Sequence, residues 1–243
     1  MTAHLVGLLL VMLLLGGGAQ ENQPAVPTSQ RANRAEREAA ARLRPLLNAQ
    51  SVALGAPVCL RVFKEERVLE LWLKTDAGQF RLLKSYPICA FSGGLGPKLA
   101  RGDGQSPEGF YAVRPRALNP VSSYHLSFDV GYPNAYDRGK GRTGSALMVH
   151  GACVSIGCYA MTDPAIEEIW TAMTAAFRNG QREIQVQLYP FRMSVESLAR
   201  HRRDQWYDFW VDLKTGSDLF ENARVPPRVE VRDGRYRFTA ARD

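Results

Sequence analysis

Histidine and cysteine are scarce in this sequence, with four of each among 243 residues. The scarcity argues first against a metal centre. A structural zinc site takes about four ligands and a catalytic one about three, whereas His125 and His201 stand far apart without a matching pair of cysteines. No metal and no other cofactor is expected. A phosphate-binding loop is lacking as well. The glycine-dense stretch Gly93-Gly94-Leu95-Gly96-Pro97-Lys98, continued at Gly102-Asp103-Gly104, has no Gly-Lys-Ser/Thr ending and no helix after it, so it reads as a surface loop. The formal charge is +7, but its 31 Lys and Arg are spread along the chain. With neither a basic block nor a nucleic-acid module, nucleic acid is excluded as a partner. A basic surface suits peptides bearing free carboxylates better.

Long apolar runs are missing, with one short exception. Leu5 to Leu15 is apolar throughout and is followed by Gly16-Gly17-Gly18-Ala19. A bilayer core needs roughly 20 apolar residues; a shorter run ending in small residues is the pattern of a secretory signal peptide. Residues 1–19 are read as that peptide, which implies a periplasmic or secreted protein. No Lys or Arg precedes the run, and an uncleaved anchor is the alternative. No cysteine lies near the expected cut, so lipid modification is not expected. In an exported chain four cysteines could also mean two disulfides. Every functional reading of a cysteine has to beat that one.

Residues 20–56 read as a polar tether and an N-terminal helix, the helix ending or breaking near Pro45. The character changes at Pro57. Val58 to Phe63 and Val68 to Leu73 form a hairpin joined by the charged Lys64-Glu65-Glu66-Arg67, and Phe80 to Ala90 is a third strand. Further short strands fall at Gly109 to Val113, Tyr124 to Val130, Ala146 to His150 and Glu183 to Leu188. Asp163 caps a helix that Pro164 opens, with Ile166, Ile169, Trp170, Met173 and Phe177 on its apolar face and Gly180 at its end. Residues 57–190 are therefore one mainly β domain with a single helix. Residues 191–243 look like an appendage: two helical stretches, an aromatic stripe read as packing, and a hairpin turning at Asp233-Gly234.

The chemistry gathers between Val149 and Asp163. A strand delivers His150, a glycine-containing loop follows, and Ser155-Ile156-Gly157-Cys158 leads to the helix. A thiol attacks a carbonyl as thiolate, and a free pKa of about 8.5 leaves little of it at neutral pH. A neighbouring imidazole can take the proton and then stabilise the anion. Gly157 lets the backbone turn beside the sulfur, and amide N–H groups around Gly157 and Cys158 are suited to a developing oxyanion. The bare spacing also fits a metal pair or a Cys153–Cys158 disulfide. Cys59 and Cys89, both in strand candidates, could pair and leave Cys153 a small packed thiol. His125 reads as structural.

The run His150-Gly151 to Ser155-Ile156-Gly157-Cys158 resembles the signature of the YkuD-type L,D-transpeptidase family. Ser106-Pro107-Glu108-Gly109-Phe110-Tyr111 is similar to the Pro-x-Gly start of a strand in that family. The strings at 123–128, 131–138 and 157–163 look like the YafK-like branch in particular, and the resemblance runs from about Pro57 to Met193. It implies a mainly β (α+β) fold, a β-sandwich-like catalytic domain with one packed helix and small helical extensions at both ends. It implies Cys158 as nucleophile, His150 as base and later acid, and a backbone carbonyl near Gly151 orienting the imidazole. The implied substrate is a peptidoglycan stem peptide, attacked at the L-centre carbonyl of diaminopimelate, with the acyl group passed to an amine or to water. Relatives in this branch that hydrolyse the link between peptidoglycan and an outer-membrane lipoprotein make such a lipoprotein a further partner. An inert wall-binding module is the competing class, and it has no need of an imidazole beside a thiol.

One departure stands out. Many members carry Arg two residues after the nucleophile, a position suited to holding a carboxylate; here it is Ala160, beside Tyr159. Tyr159 is then read as a mark of changed donor preference, and Arg138 or Arg142 could supply the missing cation from a neighbouring loop. Ser155, Tyr124 and Arg138 are the remaining candidates for substrate contact, with Tyr136 and Asp137 beside them. For Ser155 a loop-shaping role competes; for Asp137-Arg138, a turn with a surface ion pair.

Overall fold

The computed structural model describes residues 25–241, so the signal-peptide assignment lies outside the described residues. Helix α1 spans Gln30–Gln50, and β1 (Val58–Phe63), β2 (Val68–Lys74) and β3 (Phe80–Pro87) follow it. Next come β4 (Gly109–Val113), β5 (Leu118–Asn119), β6 (Ser127–Asp129), α2 (Ala135–Gly139), β7 (Met148–His150) and β8 (Tyr159–Ala160). Helix α3 (Asp163–Arg178) and β9 (Ile184–Tyr189) follow, then α4 (Val195–Arg200), α5 (Tyr207–Ala223) and the hairpin β10 (Arg228–Arg232) and β11 (Arg235–Thr239). The class is α+β with a mainly β central region.

Two sheets organise it. The larger has the order β3-β2-β1-β9-β4, with β1 and β9 parallel and its other pairs antiparallel. Strand β1 sits in the middle and is buried at every position, as a strand covered on both faces must be. The smaller sheet, β5-β6-β7-β8, carries His150 at the end of β7. The two sheets meet where Ala90 bridges to Ala160, a contact that brings the end of the β3 region against β8.

Helix α3 lies in the main core, burying Ile166, Ile169, Trp170, Met173 and Phe177 as its periodicity requires. Its cap is Thr162, whose hydroxyl accepts from the Ala165 N–H at 3.3 Å; the helix starts at Asp163, one place earlier than expected. Asp163 is thereby free for another task, described below. Helix α1 runs through Pro45 rather than stopping there. Proline removes one hydrogen bond, but Ala32, Ala35, Ala39, Leu43 and Leu47 form a buried stripe that continues across it. Glu36 then accepts from Trp170 Nε1 at 3.2 Å and from both Arg178 amino groups, pinning α1 on α3.

Residues beyond β9 are built into a second core. Phe191, Met193, Leu198, Phe209, Trp210, Leu213 and Tyr236 pack with Phe63, Phe110 and Tyr189 of the large sheet. The structure also decides the cysteine pairing that the sequence leaves open. Cys89 pairs with Cys153, while Cys59 is a buried free thiol packed with Trp72, Phe80 and Phe220. Cys59 sits in the central strand, whereas Cys89 lies beyond the end of β3 and bonds through its N–H to Ala160, near the 151–157 loop. Topology separates the first pair and joins the second.

Candidate active site

His150 and Cys158 line one cavity of about 650 Å³. A larger cavity of about 850 Å³ lies against the terminal hairpin, but neither cysteine nor histidine lines it. The smaller one is therefore where nucleophilic chemistry can occur. Strand β7 runs parallel to β8, with Val149 opposite Tyr159 and His150 opposite Ala160. That register sets Cys158 against Met148, whose N–H points to the sulfur at 3.3 Å. His150 is two residues further along the same strand, on the same face.

The imidazole is held in one tautomer. Its Nδ1 lies 2.6 Å from the Gly151 carbonyl, which can only accept, so the proton sits on Nδ1 and Nε2 keeps its lone pair. Tyr124 covers the ring at 4.7 Å between centroids. Burial pushes the His150 pKa below its ordinary 6.5, against the hydrogen bond to Gly151. Burial likewise pushes the Cys158 thiol above 9.0, partly offset by the Met148 N–H. Both shifts favour a neutral thiol beside a neutral imidazole at rest.

Gly151 is required sterically. A Cβ there would meet the Asp163 carboxylate, 3.0 Å from the His125 Cβ and 3.1 Å from the Tyr124 carbonyl. Gly157 has φ 140°, which L side chains rarely adopt. The loop between them is pinned three ways. Asp163 accepts from the Ala152 N–H at 2.8 Å, the Cys153 N–H reaches the Met161 carbonyl at 3.3 Å, and Cys153 is cross-linked to Cys89. These ties hold Ala152 and Cys153 at φ 65° and 52°, a strained region for residues with a side chain.

Among the other expected site residues, Ser155 and Tyr124 line the cavity. The Ser155 hydroxyl donates to the Cys158 carbonyl at 2.7 Å and accepts from the Gly157 N–H at 3.2 Å, so at rest it shapes the loop. Tyr159 and Arg138 do not line it. Tyr159 is fully buried, its hydroxyl on the Pro107 carbonyl at 2.7 Å, because β8 turns it into the core. Arg138 is exposed and donates to the Pro133 carbonyl. Arg142 is buried against Asp137 at 2.8 Å, so the ion pair of this turn is Asp137–Arg142 and lies in the interior. Tyr136 belongs to the second core. His125 bonds Glu167 at 3.0 Å, a tie between the segment before β6 and α3. Among the described residues there is no group of three His, Cys, Asp or Glu that could hold a metal, and no helix long and apolar enough to cross a membrane.

Three features escaped sequence reading. Lys98 and Arg101 from the glycine-rich loop line the cavity. Lys64 is fully buried beneath that loop, paired with Glu108 at 3.0 Å and donating to the carbonyls of Gly96 and Ser106 at 2.9 and 2.7 Å. Arg31 of α1 donates to the Ser122 and His125 carbonyls at 2.8 Å each, bracing the segment that carries Tyr124. The Pro107-Glu108-Gly109 string was a signal for the second, since its acidic residue sits in an otherwise apolar strand start.

Comparison with known proteins identifies the family. Residues 59–216 match the model of the YkuD family, the L,D-transpeptidase catalytic domain. The chain is 51% identical over 183 residues to the "Putative L,D-transpeptidase YafK" of Escherichia coli strain K12, covering 75% of this chain and 74% of that one; the O157:H7 protein of that name matches equally. Among solved structures it is similar to the helical cell shape determining protein Pgp2 of Campylobacter jejuni, at 17% identity and TM-score 0.44 over 79% of this chain and 80% of that one. It is also similar to Bd1075 of Bdellovibrio bacteriovorus, at 16% identity and TM-score 0.40 over 73% and 78%. The extent of the family match and the level of identity over three quarters of its length settle one point: the chain belongs to the YkuD family of L,D-transpeptidase catalytic domains.

Proposed function

We propose that this chain is an exported cysteine acyltransferase, an L,D-transpeptidase that takes peptidoglycan stem peptides as donors through a Cys158 acyl-enzyme. The observation that carries the reading is the fixed tautomer of His150: with Nδ1–H on the Gly151 carbonyl, Nε2 is left as a base in the cavity that holds the thiol. Nε2 takes the thiol proton as sulfur attacks the donor carbonyl. Backbone amides at Gly157 and Cys158 receive the oxyanion, the Gly157 N–H leaving the Ser155 hydroxyl to do so. The imidazolium then protonates the departing amine. An amine or water accepts the acyl group, and His150 works in the reverse sense to activate it.

The test is mass spectrometry of muropeptides incubated with the purified protein, together with the mass of the protein itself. An acyl adduct on the Cys158 peptide and a new or cleaved diaminopimelate linkage are expected. Cys158→Ala should abolish turnover and leave the thermal midpoint nearly unchanged; turnover at the original rate would overturn the reading. The linkage formed or lost also distinguishes transfer to an amine from release of a lipoprotein to water.

The pH profile follows from the two shifts. The reactive pair needs one proton shared between sulfur and imidazole. The kcat/KM curve should rise through a pKa below 6.5 as His150 loses its second proton, and fall through one above 9.0 as the thiol ionises alone. A plateau confined between 6.5 and 9.0 would contradict the shifts.

A further inference from the structure

The reacting cavity holds two cations and no acidic side chain: of its lining residues only Lys98 and Arg101 are ionised at neutral pH, beside His150 and Cys158 in their neutral forms. The two cations are not equivalent. Lys98 is buried, forms an ion pair with Asp103 and donates to the Ala100 carbonyl at 2.9 Å. Its charge is already matched. Arg101 is exposed, and among the described residues no acceptor lies within hydrogen-bond distance of its guanidinium. The cavity therefore presents one guanidinium without an ion-pair partner, a five-donor planar group suited to a carboxylate, while Asp129, which acts on the thiol through space, lies outside the lining.

Its presentation is not left to a loose loop. Asp103 accepts from the Leu99, Ala100 and Gln105 N–H groups at 2.8, 2.9 and 3.1 Å, closing a tight turn around Arg101. The Arg101 N–H donates to the Thr143 hydroxyl at 3.2 Å, and the Thr143 N–H returns to the Leu99 carbonyl at 2.9 Å. The turn is thus tied to the segment that continues into Ser145 and Ala146 on the cavity wall. Other positions for a carboxylate anchor are closed. Ala160 is fully buried, with its backbone shared between Ala90 and the catalytic strand, so a long side chain there would have to displace core. Arg138 and Arg142 are engaged outside the cavity.

We infer that Arg101 is a specificity-determining residue that binds a free carboxylate of the donor peptide and orients the donor across the thiol. The inference rests on the acyltransferase reading given above. A stem peptide offers two such groups near the scissile bond, the terminal carboxylate of the leaving residue and the side-chain carboxylate of diaminopimelate. The shared chemistry is a carboxylate at one wall of the cavity.

The experiment uses three donors: the free tetrapeptide stem, its C-terminal amide, and the form amidated at the diaminopimelate side chain. Acylation of Cys158 is followed for the natural sequence, Arg101→Gln and Arg101→Lys. Binding of the same donors is followed by calorimetry in Cys158→Ala and in Cys158→Ala combined with Arg101→Gln. Arg101→Gln should lower kcat/KM for the free stem by about tenfold, chiefly through KM, with partial rescue in Arg101→Lys. The amide that removes this sensitivity identifies the carboxylate bound. Equal losses on all three donors, or no loss on any, would overturn the inference. The binding arm needs no turnover. Carboxylate-dependent binding without acylation would refute the acyltransferase reading and retain Arg101, and acylation indifferent to Arg101 would do the reverse.

Discussion

Two loops wall the cavity, and they are held by different physics. The 93–106 loop is fixed from beneath by Lys64 and Glu108, both fully buried, with Glu108 also accepting from the Gly96 N–H at 2.7 Å and from Trp210 Nε1 at 2.9 Å. The 151–157 loop is fixed from outside by the Cys89–Cys153 cross-link and the Asp163 carboxylate. The first support lies where water does not reach, so an ion pair satisfied on all sides holds firmly. The second loop is exposed, with Ile156 at 91% of its full accessibility. There an ion pair would be screened and worth at most about 1 kcal/mol, and a covalent bond is indifferent to solvent. Burial decides which kind of support a loop can use.

Breaking the interior support should cost most. Glu108→Ala strips the buried Lys64, whose pKa burial already lowers, of its counter-charge, and a loss of about 3–5 kcal/mol of stability is expected in denaturant titration. Replacing Lys64 by Met and Glu108 by Leu together should recover much of that loss. A double variant no better than Glu108→Ala would show that loop contacts, rather than the unpaired lysine, set the cost.

Opening the exterior support should come second. Cys89→Ser removes a link that closes 64 residues of chain, worth about 4 kcal/mol in the chain-entropy account and often less in practice. Its signature should be local: hydrogen exchange rising at 152–157 while the interior loop stays protected. Uniform loss of protection across both loops would erase the contrast. Ser155→Ala should be the smallest change, about 1 kcal/mol for the lost bond to the Cys158 carbonyl. The rate of Cys158 acylation should fall by more than stability does, since the hydroxyl also positions the Gly157 N–H. An unchanged acylation rate would reduce Ser155 to a spacer.

Legibility in the sequence followed how local each signal was. His150, Gly151, Gly157 and Cys158 fall within nine residues, and the chemistry of a thiol beside an imidazole reads directly from them. The periodicity of α3 and the pairing of β1 with β2 were legible for the same reason. Lys64 read as a turn residue because its partner Glu108 is 44 positions away, and nothing local distinguishes a buried lysine from a solvated one. The disulfide stayed open because spacing does not choose among cysteines; the contact of Cys89 with β8 does. Tyr159 was expected in the cavity because it follows the nucleophile, yet strand alternation turns it to the opposite side. Arg101 went unnoticed because the cavity is assembled from loops that the chain keeps apart.

A last consequence concerns survival of the nucleophile. The chain carries an oxidised pair, Cys89–Cys153, and a free thiol at Cys158, five residues from one of its members. Surroundings oxidising enough to keep the first intact threaten the second. Oxidants and neighbouring cystines react with thiolate, not with thiol. Burial holds the Cys158 thiol above its ordinary range and so lowers the thiolate population that an oxidant can attack. On the proposed mechanism, the same desolvation that slows the unassisted reaction works as a chemical safety catch, released when His150 takes the thiol proton.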